Sequence, residues 1–213
     1  MIDKSTARRL GIAAALIFLS TVALLLGRQF SLGPIRPAPD WRTFGPAEAP
    51  VQIQEFTDFA CPACRMAAGK IDEMMRVFGP GLRVSFKHYP LLNIHPWSLD
   101  AAAYADCAGE QGKFKAYADL LFEGQEKWGL AKAPPPEFAD YAKRLKLDWA
   151  AMQVCARSEA TQKRLRTDIA EGDLRGVTAT PTFFINGRRA VGAAQLIDQA
   201  MKFDNILREA AKK

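Results

Sequence analysis

The chain has 213 residues, 49% of them hydrophobic and 24% charged, with a formal net charge of +6. That length holds one medium domain plus a targeting segment, and the composition excludes a disordered or collagen-like chain. Residues 1–36 carry five basic side chains against Asp3 alone, which leaves 24 basic and 22 acidic for everything after them. The folded part is therefore nearly neutral, and no nucleic-acid partner is expected.

Lys4, Arg8 and Arg9 precede an uncharged run of 18 residues, 10–27. A signal-peptide core is typically about 7–15 residues long and ends in a small-x-small cleavage site. This run is longer, and the LLLGRQF sequence at its end offers no such site. At about 1.5 Å per residue it covers roughly 27 Å of a hydrocarbon core of about 30 Å. Residues 1–9 are thus read as a cytoplasmic N-terminus and 10–27 as an uncleaved transmembrane signal anchor, with a cleaved signal peptide as the competing reading. Basic residues are nearly balanced across the run, so orientation rests on the usual N-terminus-inside preference and on the cysteine usage below. Residues 28–46 contain Pro34, Pro37, Pro39 and Pro46 and read as a semi-extended linker, with a docked arm or strand edge left open near residues 41–44.

The folded domain is expected over residues 47–213. The stretch VQIQEFT alternates from Val51 and predicts a strand. A helix follows from Cys61, with Met66, Ile71, Met74, Met75 and Phe78 as its apolar stripe, and Gly79-Pro80-Gly81 stops it. LRVSFKHY from Leu82 alternates again, so the three make a βαβ unit with a parallel pair. Residues 97–175 hold helical patterns at 98–109, 113–128, 136–145, 149–157 and 161–174 and no strand. TPTFFINGRRAVG then gives two short strands joined at Asn186-Gly187, a strong hairpin signal, and one helix over 193–211 closes the chain.

Four cysteines carry the chemistry: Cys61, Cys64, Cys107 and Cys155. Cys61-Pro62-Ala63-Cys64 lies where the first strand gives way to a helix. There Cys61 faces unpaired backbone N–H groups and the positive helix end, both of which favour thiolate. Pro62 suits the first helical position, where its missing N–H costs nothing. Cys64, one turn further, can reach the Cys61 sulfur and resolve a mixed disulfide formed there. A zinc site would need a second closely spaced ligand pair, which isolated Cys107 and Cys155 do not supply, and neither metal nor other cofactor is expected. His88 and His95 read as surface or packing residues, and Lys163–Arg166 as a solvated helix face.

EFTDFACPAC, followed some 117 residues beyond Cys64 by Pro181 within TPTFFING, resembles the DsbA-type branch of the thioredoxin superfamily. The resemblance covers roughly residues 44–211. It implies an α/β, thioredoxin-like fold (βαβ then ββα) with an inserted helical subdomain, here preceded by the transmembrane helix. By the same resemblance Cys61 is the nucleophile and Cys64 the resolving cysteine. Thr180 and Pro181 form a cis-proline loop that binds substrate backbone beside Pro62 and Ala63. Glu55 matches a buried acid that takes the proton of Cys64. Several members carry a second cysteine pair in the insert, which implies a Cys107–Cys155 disulfide. Expected partners are exported polypeptide thiols and a membrane redox protein that recycles the pair. The expected location is the bacterial inner membrane, with the catalytic domain in the periplasm or extracytoplasmic space.

One departure bears on direction. DsbA has a histidine where this chain has Ala63, and losing it implies a reduction potential between roughly −270 mV for thioredoxin and roughly −120 mV for DsbA. Rival readings are a disulfide reductase using the same pair and a copper-handling protein with two soft thiolate ligands. A dimerising isomerase is disfavoured, because residues 28–46 are too few for a dimerisation domain.

Overall fold

The computed structural model describes residues 12–22 and 33–210, in two units that divide between residues 35 and 36. In the first unit residues 12–22 are helical (α1). The expected anchor at 10–27 runs past both ends of α1 into positions outside the described residues. Among the described residues no helix is long and apolar enough to cross a membrane.

The second unit is built on a five-stranded sheet, ordered β1-β3-β2-β4-β5. Its strands are β1 (Thr43–Phe44), β2 (Val51–Thr57), β3 (Leu82–His88), β4 (Thr182–Ile185) and β5 (Arg188–Val191). β2 and β3 run parallel, joined by helix α2 (Pro62–Phe78), while β4 is antiparallel to β2 and β5 to β4. Alternation along β2 puts Val51, Ile53, Glu55 and Thr57 on one face, all buried. Helix α2 meets this apolar core with Cys64, Ala67, Ile71 and Met74, which recur at helical spacing. Met66, expected in that stripe, lies on the outer face and is 64% exposed. Asn186 and Gly187 take φ of 47° and 81°, the left-handed pair that a two-residue hairpin turn requires.

Between β3 and β4 lie six helices: α3 (Ser98–Glu110), α4 (Phe114–Glu123), α5 (Gln125–Trp128), α6 (Glu137–Arg144), α7 (Trp149–Arg157) and α8 (Glu159–Leu174). The helix expected over 113–128 is divided at Gly124 into α4 and α5. The single helix expected over 193–211 is likewise two, α9 (Gly192–Ala200) and α10 (Phe203–Ala210). The turn at Met201-Lys202 delivers Phe203 against Phe78, with ring centroids 5.4 Å apart.

The stretch expected to be a linker, 28–46, is corrected in its second half. Residues from Arg36 onward belong to the folded unit, and Thr43 and Phe44 pair with Ser85 and Val84 as an edge strand. Trp41 lies over Gly109 so closely that a Cβ there would stand 2.2 Å from its ring. Arg42 is 1% exposed and explains the docking. Its Nε lies 2.9 Å from Asp106 and its Nη1 pairs with Asp168, while Lys87 bridges Asp168 and Glu171 at 3.1 and 3.0 Å. Without the arm, acids on α3 and α8 would be buried short of a counter-charge. Arg164, expected on a solvated face, closes the same network at 2.8 Å from Asp106. His88 is buried with its Nε2 3.3 Å from Asp106, and burial, its largest cause, lowers its pKa.

Candidate active site

β2 ends at Thr57, and the turn Asp58-Phe59-Ala60 leads directly into α2. Cys61 is the N-cap, extended at φ −82° and ψ 120°, and Pro62 opens the helix. The amides of Cys64 and Arg65 donate to the Cys61 carbonyl at 3.0 and 3.2 Å, so the pair sits on the first turn of a 17-residue helix. Ala63 is half-buried between the cysteines and Pro62 is exposed. From the far end of the insert, the Thr180–Pro181 peptide, which is cis, brings the Thr180 carbonyl to 3.4 Å from Cys61 Sγ. The structure therefore gathers Cys61, Cys64, Pro62, Ala63, Thr180 and Pro181 where β2 ends and β4 begins, in the middle of the sheet. Glu55 lies deeper, on β2 below them.

The two thiols are electrostatically unlike. The thiol of Cys64, donating to the Cys61 sulfur, does most to bring the Cys61 pKa down to about 5. Burial opposes this, and the Thr180 side chain and the amides of Cys64 and Ala63 add to the lowering. Cys64 is 0% exposed, and burial pushes its pKa well up, reinforced by its hydrogen bond with Cys61. Glu55 is also fully buried, flanked in register by Phe86 on β3 and Phe183 on β4. That apolar setting raises its pKa to about 8, with Asp72 adding to the rise and Thr57 opposing it.

Asp58 was not singled out in the sequence, yet it organises the turn. Its buried carboxylate accepts from the Ala60 and Leu91 amides at 2.8 Å each, from His95 Nδ1 at 2.7 Å and from the Ser98 hydroxyl. Its own amide donates to Cys64 Sγ at 3.5 Å. His95 is thus part of the scaffold that holds the cysteine turn against residues 90–98. Gln125 adds a buried bond from its side-chain amide to the Phe59 carbonyl at 2.7 Å. The available sequence signal was position: an acid inside an apolar strand-to-helix junction has to find donors.

Cys107 on α3 and Cys155 on α7 are joined, with S–S at 2.02 Å, tying two helices of the insert together. Among the described residues no group of three or more His, Cys, Asp or Glu side chains is placed to hold a metal ion.

Sheet order and cysteine turn together place the protein in the thioredoxin-like class, with six helices inserted between β3 and β4. Residues 38–204 match the family described as Thioredoxin, and the chain belongs to that family. Among solved structures, alpha-DsbA1 from Wolbachia pipientis shares the fold with a TM-score of 0.69 at 20% identity, over 83% of this chain and 97% of that one. Oxidised BdbD from Bacillus subtilis does so with a TM-score of 0.69 at 20% identity, over 81% and 96%. In sequence, the chain is 36% identical over 160 residues to Na(+)/H(+) antiporter NhaA 1 of Salinispora arenicola, covering 75% of this chain and 24% of that protein. It is 33% identical over 160 residues to Na(+)/H(+) antiporter NhaA of Herminiimonas arsenicoxydans, again covering 24% of that protein. The chain spans about a quarter of the length of these curated relatives.

Proposed function

We propose that the protein is a thiol–disulfide oxidoreductase that introduces disulfides into exported polypeptides through Cys61 and Cys64. The observation that carries this reading is the inequality of the pair: a sulfur at the helix start, 8% exposed and with a pKa of about 5, beside a fully buried one pushed far up. In the oxidised protein a substrate thiolate attacks Cys61 Sγ and the bonding electrons leave on Cys64. The Thr180 carbonyl and Pro181 line up the substrate backbone, with Pro62 and Ala63 beside it. A second substrate thiolate then attacks the substrate sulfur of the mixed disulfide and releases Cys61 as thiolate. Glu55, neutral at pH 7 for the most part, supplies or takes the Cys64 proton.

A stabilised Cys61 thiolate favours the reduced state and so makes the disulfide the better oxidant, which supports the oxidising direction. The reduced pair would be recycled by a membrane redox partner. Residues 10–27 would tether the domain on the extracytoplasmic side of the bacterial inner membrane, where the Cys107–Cys155 disulfide persists. Ion transport is not carried over from the relatives, because the match spans only about a quarter of their length.

The test is Cys64→Ser in cells, with mixed disulfides resolved by non-reducing electrophoresis, alongside acid-quenched alkylation of the otherwise intact protein. Cys61-dependent adducts with exported proteins and a largely oxidised pair support the oxidase. Adducts with a largely reduced pair move the assignment to the reductase. No adducts at all would remove thiol exchange as the function.

A further inference from the structure

Three buried polar atoms below the cysteine pair lack a hydrogen bond of good geometry: both carboxyl oxygens of Glu55 and the hydroxyl of Thr57. Orphaned groups of this kind are rare in protein interiors, and leaving one unpaired is costly. Here they share one face of one strand. Glu55 and Thr57 are two residues apart on β2, both buried, on the face they share with Val51 and Ile53. Cys64 Sγ lies just past the end of the strand, 3.5 Å from the Asp58 amide. The order along β2 is therefore carboxyl, hydroxyl, sulfur. At about 3.3 Å of rise per residue, the Thr57 position stands between the other two.

A hydroxyl can accept one proton while donating another, which a carboxyl–thiol gap bridged by apolar atoms cannot do. We infer that Thr57 is a catalytic residue, its hydroxyl passing the proton of Cys64 to Glu55 when Cys64 resolves the mixed disulfide. In that step, in the molecules whose Glu55 is ionised, the Cys64 proton moves to Thr57 Oγ1 and the proton of Oγ1 to the Glu55 carboxylate. The Cys64 thiolate attacks Cys61 Sγ, the Cys61–Cys64 bond forms, and the Cys61 bond to the other sulfur breaks with its electron pair on the departing thiolate. Hydrogen bonding by Thr57 to the charged form lowers the pKa of both Glu55 and Cys64, so the hydroxyl is within reach of each. The inference rests on the proposed roles of Cys61, Cys64 and Glu55.

The test is rapid mixing of the reduced protein with the aromatic disulfide dithiobis-nitrobenzoate. Attack by Cys61 releases a first thionitrobenzoate at a rate set by reagent concentration, and resolution by Cys64 releases a second at a rate independent of it. Cys64→Ser keeps only the first phase. Thr57→Val, which removes the hydroxyl at nearly constant volume, should slow the second phase about tenfold or more and leave the first within about twofold. Thr57→Ser should restore it. Thr57→Val should also leave the melting temperature unchanged or higher, since it deletes a buried hydroxyl that lacks a hydrogen bond of good geometry. The double variant with Glu55→Gln should resolve no more slowly than Glu55→Gln alone. A wild-type second phase in Thr57→Val, or independent multiplication of the two defects, overturns the relay while Glu55 keeps its role. A wild-type second phase in Glu55→Gln removes Glu55 as the base and the relay with it. A missing first phase in the unaltered protein removes the thiol-exchange reading itself.

Discussion

A thiol with a pKa of about 5 is ionised at neutral pH, and the largest cause for Cys61 is its neighbour, the Cys64 thiol, rather than the helix alone. The two effects separate by substitution. The midpoint for alkylation of Cys61 with iodoacetamide should lie near pH 5 in the reduced protein. Cys64→Ser retains an O–H donor and should hold that midpoint low. Cys64→Ala retains none and should move it up towards the ordinary thiol range, stopping short because the amides of Ala63 and Cys64 still face the sulfur. Equal midpoints in the two variants would assign the lowering to the backbone and the helix end instead. Ala63 has no side-chain donor to offer, so the neighbouring thiol carries more of this task than it would beside a histidine.

At the scale of elements, the docked arm carries a buried charge network. Arg42 is buried between Asp106 and Asp168, and truncating it leaves two carboxylates on α3 and α8 short of their counter-charge. Arg42→Ala should cost about 3–5 kcal/mol, read as a lower denaturation midpoint at unchanged slope. A loss under about 1 kcal/mol would mean that water or Arg164 takes over the pairing. The same element shows what the sequence could and could not convey. β2, α2, β3 and the Asn186-Gly187 hairpin were legible because each announces itself by a local period or turn. So was the cysteine turn, because Cys-Pro-x-Cys at a helix start is local chemistry. The arm was legible only as an open alternative near residues 41–44, because four prolines resemble a linker and the acids that hold it lie 64 and 126 residues away in Asp106 and Asp168. Asp58 escaped for the same reason: its donors, Leu91, His95 and Ser98, arrive from a loop beyond β3. At the helix break at Gly124 a Cβ would stand 1.7 Å from the Tyr141 hydroxyl, a tertiary contact that the local sequence does not announce.

For the whole molecule, Glu55 and Cys61 pull the pH dependence of stability in opposite directions. Glu55 is raised from 4.5 to about 8, so between those values the unfolded chain has lost a proton that the native protein keeps. Stability from this group is full below pH 4.5 and falls as pH rises towards 8, by up to about 5 kcal/mol at roughly 1.4 kcal/mol per unit. Cys61 is lowered from 9.0 to about 5, so over that range the native protein has lost a proton that the unfolded chain keeps. Its contribution is full above pH 9.0 and is lost as pH falls towards 5. Only the reduced protein has this second group, because a disulfide does not titrate. Oxidised protein should therefore lose stability steadily from pH 5 to 8, whereas reduced protein should show a much flatter profile. The difference between them should swing towards the reduced form as pH rises, and with it the tendency of the disulfide to accept electrons. Glu55→Gln should abolish the fall in the oxidised protein and leave a rising profile in the reduced one. Urea titrations of both redox states across that range decide the matter. A flat oxidised curve, or a fall that survives Glu55→Gln, would show that the buried acid is not what couples folding to pH.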